Sequence, residues 1–308
     1  MKYAVLSDIH GNYPALRAAL ADAREQGAEH FLFLGDYTNS LPWPNEVVET
    51  IRGLASATVI RGNHENYLRD LRGQDSSLWE DGFDSGLRVS FRTHSKESLD
   101  YLDTLPETAV LADGDSEIHL VHLLRAIEDC QLDLFYPSGF SRRMAAASFD
   151  HAEYLALGRE ALLACPQTVA GIRALSEGAH LFGHSHLQFH LEYEGRLLVN
   201  PGSCGSAADW DNTAAYTLLE RVDGGWVVTE RRVAYDISGT VAGLNASPMA
   251  AEAPVWRGIL EQGLRTGRDG FGPFMAHTRE TAGRLGRAFQ PVSREVWAEA
   301  VRTWEAEW

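Results

Sequence analysis

One pattern in the first 190 residues constrains this chain more than any other: short apolar runs end, and side chains able to bind a metal ion follow within a few residues. Tyr3 to Ser7 is followed by Asp8 and His10, Phe31 to Leu34 by Asp36, and Thr58 to Arg61 by Asn63 and His64. Glu117 to Val121 leads to His122, and Ala179 to Phe182 leads to His184 and His186. Such runs, bounded by turn residues, read as buried strands. Between the early ones lie stretches with helical spacing. Pro14 to Gln26 carries Leu16, Ala19, Leu20 and Ala23 on one face and stops at Gly27, and Pro44 to Leu54 repeats the signal with Val47, Val48 and Ile51. This alternation predicts two β-α-β crossovers and an α/β fold. Open α/β sheets bind ligands beyond the carboxyl ends of their strands, so a single crevice would collect these side chains.

Gly35, Gly62 and Gly183 each stand immediately before one of them, which suits a sharp departure from the strand and close approach of the backbone to a ligand. Mixed oxygen and imidazole donors favour manganese, iron, cobalt, nickel or zinc over calcium. Two such ions about 3.5 to 4 Å apart need a bridging group, and the central carboxylate of Asp36 can supply one.

Farther along, Ser95 to Leu105 reads as a helix closed by Pro106, and Ala109 to Leu111 with Glu117 to Val121 as a hairpin turning at Gly114. Residues 123 to 176 read as an excursion over one edge of the fold, with an irregular loop at Leu132 to Gly139 and a helix at Phe149 to Ala164. Strands at Ala179 to Phe182, Leu187 to Tyr193, Arg196 to Val199, Ala215 to Leu219 and Trp226 to Ala234 predict a second, largely antiparallel sheet. Residues 1–234 would then form one domain and 235–308 a mainly helical extension. In that extension Val292, Val296, Trp297, Ala300, Val301 and Trp304 share one helical face, a surface for core packing or for homo-oligomer formation.

Among the 308 residues, 43 are Asp or Glu and 27 are Lys or Arg, a formal charge of −16 that argues against a nucleic-acid polymer as partner. The three cysteines are far apart and form no Cys-x-x-Cys pair, which argues against a disulfide framework or a thiolate zinc site and fits a reducing cytoplasm. No stretch has the roughly 18 to 20 apolar residues of a membrane span. The opening residues run straight into Asp8, as a first strand does and a signal peptide does not.

In order along the chain, Ser7-Asp8-Ile9-His10-Gly11-Asn12, Gly35-Asp36, Arg61-Gly62-Asn63-His64-Glu65, Val121-His122 and Gly183-His184-Ser185-His186 resemble the blocks of the calcineurin-like metallophosphoesterase superfamily. Pro44-Asn45-Glu46-Val47-Val48 and Asn200-Pro201-Gly202-Ser203 are similar to its small bacterial and archaeal phosphodiesterase-like branch, over residues 1 to about 234. The resemblance implies two mixed β-sheets packed as a sandwich with flanking helices. It also implies two divalent transition metals per chain, with manganese the first choice. Asp8, His10 and His186 would hold one metal, Asn63, His122 and His184 the other, and Asp36 would bridge them. His64 would stay free of metal and stabilise the transition state or protonate the leaving oxygen, while a hydroxide between the metals attacks phosphorus.

Two positions depart from the wider family. Tyr37-Thr38-Asn39-Ser40 stands where protein phosphatases of the superfamily carry Asp-Arg-Gly, so Asn39 occupies the place of the Asp that orients the catalytic His. Leu123 follows His122 where many relatives have Gly. The reading is therefore a phosphodiesterase acting on a small phosphoester or nucleotide. A phosphomonoesterase or Ser/Thr protein phosphatase is the enzymatic alternative, and a non-catalytic metal-binding scaffold the alternative of another class. Asn39, Arg61, Arg142 and Arg143 are candidate substrate contacts, Glu65 is a flanking charge that could also reach substrate, and Asn200 and Ser203 are candidate supports for the metal loops.

Overall fold

A computed structural model describes residues 1–75, 82–127 and 151–304. Arg142, Arg143 and the loop expected at Leu132 to Gly139 lie outside the described residues.

The chain enters through β1 (Lys2–Leu6), α1 (Tyr13–Glu25), β2 (His30–Phe33), α2 (Pro44–Arg52) and β3 (Ala57–Val59). The three strands pair in parallel, Tyr3 opposite His30 and Phe31 opposite Ala57, so the two crossovers expected from sequence are present. Asn12 starts α1: its Oδ1 accepts from Ala15 N at 3.2 Å while its Nδ2 donates to Gly205 O at 2.8 Å. One side chain thus caps a helix and ties it to a distant loop.

After α3 (Asn63–Arg72), α4 (Ser85–Thr93) and α5 (Lys96–Thr104) come the hairpin β4 (Thr108–Asp113) and β5 (Ser116–Val121), then α6 (His151–Ala164), α7 (Pro166–Ala174), β6 (Gly178–Leu181), β7 (Gln188–Tyr193), β8 (Arg196–Pro201), β9 (Ala214–Val222) and β10 (Gly225–Val233). They complete two five-stranded mixed sheets, ordered β10-β9-β1-β2-β3 and β4-β5-β6-β8-β7. Alternation along the strands builds the sandwich. Tyr3, Val5, Leu32 and Leu34 meet Ile118, Leu120, Ala179, Leu181, Leu197 and Val199 between the sheets. Ala4, Leu6, Phe31 and Phe33 face the other way, against Leu16, Leu20, Val47 and Ile51 of α1 and α2. Both faces are covered, which is why these strands read as unbroken apolar runs.

The second sheet differs from the expected one. In place of one largely antiparallel sheet built from all the strands from β6 onward, β9 and β10 join the first sheet, β9 lying antiparallel to β1 with Tyr3 opposite Leu219. Leu219 fills the inter-sheet core while Tyr216 and Leu218 reach the layer of α1, so β9 needs cover on both faces and finds it beside β1. The sheet left behind is mixed, with β5, β6 and β8 parallel. Cys204 is free and buried, but Cys165 is disulfide-bonded, contrary to what cysteine spacing suggests.

The rest is helical: α8 (Ile237–Ala246), α9 (Pro248–Glu252), α10 (Pro254–Thr266), α11 (Phe271–Arg284) and α12 (Arg294–Thr303). Trp256 centres this region, its ring 5.5 Å from Phe83, 5.4 Å from Phe274 and 5.8 Å from Trp297, and Leu41 and Val89 join the same cluster. The stripe Val296, Trp297, Ala300, Val301 and Trp304 is buried or packed within the chain, while Val292 precedes the helix, which Ser293 caps. No helix among the described residues is long and apolar enough to cross a membrane.

Candidate metal centre

The candidate ligands all follow strand ends on one side of the sandwich, and the backbone there is strained. Asp8 (φ 53°), His10 (51°), Asp36 (55°), His184 (70°) and His186 (59°) are left-handed, a conformation that costs L-residues roughly 1 to 2 kcal/mol each. The loops hold one another in it: Asp8 N donates to Gly35 O at 3.1 Å, His10 N to Asp36 O at 3.0 Å and Gly183 N to His122 O at 3.0 Å. Two glycines permit the closeness. A Cβ on Gly62 would sit 2.1 Å from Asp36 Oδ1, and one on Gly183 would sit 2.0 Å from Ser7 Oγ.

Two groups of donors result. Ligand atoms of Asp8, His10 and His186 lie within 4.8 Å of one another, as do those of Asp36, His122 and His184. Asn63 Oδ1 joins the second group, 3.0 Å from His122 Nε2 and 2.9 Å from His184 Nδ1. Asp36 also groups with His10 and His64, so it lies between the two. Ring partners fix which nitrogen is offered. His10 Nδ1 donates to Asn39 O at 3.1 Å, His122 Nδ1 to Leu34 O at 2.8 Å, and His186 Nδ1 to Ser206 O. A carbonyl only accepts, so in these three the Nε2 lone pair is left for the centre, while His184 presents Nδ1.

Asp8 and Asp36 are 0% and 1% exposed. Burial pushes the Asp8 carboxyl up, but the His186 imidazole 3.4 Å away outweighs it and brings it to about 2. Asp36 is held well below its usual value, burial being overcome by His122 and His64. Burial lowers His10 to about 3 and, with His122 beside it, His184 to about 4. In His122 burial is overcome by Asp36, which raises it to about 10. His186 is likewise raised, burial being outweighed by Asp8. Asp8 Oδ1 is buried without a hydrogen bond, and His10 and His186 point Nε2 at Nε2 across 3.1 Å. Converging lone pairs of this kind fit divalent transition cations.

The remaining candidates divide. His64 lies beside the cluster with its side chain 25% exposed, Nε2 3.7 Å from Asp36 Oδ2. Asn39 reaches His64 Nδ1 at 2.7 Å. Asn200 donates to Gly183 O and Ser185 Oγ, both at 2.9 Å, and Ser203 Oγ donates to Asp8 O at 2.6 Å, so both brace loops that carry candidate ligands. Arg61 is not brought into the cluster; its guanidinium pairs with Glu107 at 2.8 Å.

Glu65 does not flank the centre as a solvated charge within reach of substrate. It is 3% exposed and accepts from Asp36 N (2.9 Å), Tyr37 N (2.9 Å) and Gly62 N (2.8 Å), locking together two of the loops that carry candidate ligands. Burial and the Asp36 charge push its carboxyl up to about 7. Its position three residues after the helix cap Gly62 is the sequence signal for this role.

The model of the calcineurin-like phosphoesterase family matches residues 1–188. An uncharacterised protein of Methanocaldococcus jannaschii, MJ0912, is 28% identical over 258 residues, 76% of this chain and 88% of that protein. Two solved structures share the fold. A metallophosphoesterase from Sphaerobacter thermophilus superposes with a TM-score of 0.59 at 24% identity, over 87% of this chain and 100% of that one. The hypothetical protein PH1004 from Pyrococcus horikoshii gives 0.58 at 20% identity, over 87% and 99%.

Proposed function

Because the chain belongs to the calcineurin-like phosphoesterase family, we propose that it hydrolyses phosphoesters with two divalent metals per chain, and that its substrate is a small-molecule or nucleotide phosphodiester. The observation that carries this reading is the convergence of two donor groups on Asp36. Asp8, His10 and His186 would hold one ion, Asn63, His122 and His184 the other, with Asp36 shared between them. Bound there, the ions supply Lewis acidity toward phosphoryl oxygens and lower the pKa of water.

The chain's own residues do the rest. Asp36 takes the His64 backbone N–H at 2.9 Å on Oδ1, which ties the start of α3 to the shared carboxylate. Asn39 occupies Nδ1, so His64 Nε2 is the nitrogen left to place a proton on the leaving oxygen. The His64 ring also packs 5.4 Å from Tyr67, which stands 46% exposed at the rim. An amide in place of the family's carboxylate at Asn39, with no Asp-Arg-Gly segment, favours a diester over a protein phosphatase's substrate.

The test is turnover of bis-p-nitrophenyl phosphate against p-nitrophenyl phosphate with added manganese. The diester should be cleaved faster, and His64→Ala should slow it by about 10²-fold or more while bound metal is retained. Faster monoester cleavage would make the protein a phosphomonoesterase. Bound metal without turnover of either would make it a scaffold.

A further inference from the structure

The first turns of α3 carry the chain from inside the metal centre to its rim. Asn63 and His64 open the helix, and Tyr67 follows four and three residues after them, which makes it a helix-surface neighbour of both. Asn63 Oδ1 sits 3.0 Å from His122 Nε2 and 2.9 Å from His184 Nδ1, inside the cluster of candidate ligands. The His64 ring meets the His10 ring edge-on at 4.7 Å and 81°, and it meets the Tyr67 ring at 5.4 Å and 52°. Tyr67 is thus in ring contact with the imidazole that stands beside Asp36.

The core does not account for that ring. Leu68 and Leu71 supply the buried face of α3, while Tyr67 is 46% exposed and, among the described residues, joins none of the hydrophobic clusters. Asn39 occupies His64 Nδ1, so Nε2 is the nitrogen left to give a proton, and a leaving oxygen must come within about 2.6 to 3.2 Å of it. Whatever that oxygen carries lies beside the His64 ring, one ring contact away from Tyr67. Aromatic pairs form at centroid separations of about 4.5 to 7 Å, the range in which Tyr67 already meets His64, so a planar ring on the departing alcohol can extend the same row.

We propose that Tyr67 receives the leaving group: its exposed ring pairs with a planar ring carried by the alcohol that departs, so the protein selects phosphoesters whose leaving alcohol is aromatic or bears a nucleobase. The inference rests on the phosphoesterase reading and names the leaving half of its substrate. It also gives the exposed aromatic beside His64 a purpose that packing does not.

Steady-state kinetics on the manganese-loaded full chain test it, with methyl p-nitrophenyl phosphate, in which only the departing alcohol carries a ring. Tyr67→Leu keeps apolar bulk against His64 but removes the ring, so KM should rise about tenfold while kcat stays within about twofold. Tyr67→Phe and Tyr67→Trp should keep KM within about threefold of wild type, because each retains an aromatic face. A Tyr67→Leu variant with an unchanged KM, one that loses kcat alone, or a Tyr67→Phe variant that loses as much as Tyr67→Leu would overturn the proposal. The same alcohol leaves p-nitrophenyl phosphate, so the comparison holds on that compound if the protein prefers monoesters. Turnover of neither compound by the wild type would instead overturn the phosphoesterase reading, and the role of Tyr67 with it.

Discussion

Asn39 orients two imidazoles at once: its side-chain amide lies 2.7 Å from His64 Nδ1, and its backbone carbonyl accepts from His10 Nδ1 at 3.1 Å. It does so from a left-handed backbone, φ 68°, which places carbonyl and side chain toward the same crevice. Asn39→Ala should therefore lower kcat for the diester by about tenfold or more, since an unheld imidazole samples unproductive orientations. Asn39→Asp should keep the ring held and retain most of the rate. Steady-state kinetics on the metal-loaded variants decide it; an Asn39→Ala enzyme as fast as wild type would remove Asn39 from the mechanism.

Gly183 is a tight passage in the centre. A Cβ there would meet Ser7 Oγ at 2.0 Å and Asp8 Oδ2 at 2.6 Å, and neither atom can withdraw, because Ser7 and Asp8 are fully buried. Gly183→Ala should cost about 1 to 3 kcal/mol of stability and displace the Asp8 carboxylate. Thermal unfolding with and without manganese should show a smaller metal-induced rise in Tm for the variant than for wild type.

Stability should fall in acid partly through a histidine far from the centre. Burial lowers His94 from 6.5 to about 4, and its Nδ1 donates to Ser90 O at 2.7 Å. A depressed folded-state pKa means the folded protein binds fewer protons than the unfolded chain between those values. The contribution is thus complete above about pH 6.5 and is lost as pH falls toward about 4. Between about pH 7.5 and 5 it amounts to roughly 2 kcal/mol. Urea unfolding at both pH values should show His94→Gln losing less stability than wild type by about that amount.

Trp256 holds the C-terminal helices to the rest of the chain. It is 8% exposed and its Nε1 donates to Phe83 O at 2.9 Å. Trp256→Ala should cost about 3 to 5 kcal/mol and loosen the packing of Phe274 and Trp297 around it. Limited proteolysis should cut the variant within 235–308 well before wild type.

The strands, the crossovers and the clustering of ligands are legible in the sequence because each depends on local pattern: a buried strand must be apolar, and its carboxyl end sets where the following side chains go. Asp8, Asp36 and His186 need no knowledge of one another to be placed in one crevice. The sheet assignment of β9 is not legible, because a strand buried on both faces carries no label for which neighbour covers it. Glu65 misleads for a related reason: a charged residue in a loop looks solvated until the three backbone donors around it are known. The loop that joins α10 to α11 is beyond reach, since its place depends on contacts of Gly267 and Arg268 with Asp209 and Trp210, distant in sequence and aligned only by the fold.

In the mechanism proposed above, two cations complete the site and are needed for turnover. Elemental analysis of the protein titrated with manganese, with diester turnover followed on the same samples, measures this most directly. Activity should rise to a plateau at about two ions per chain, and Asp36→Asn should hold less metal and show no turnover. Full activity in metal-stripped protein, or an Asp36→Asn variant that binds and turns over like wild type, would contradict it.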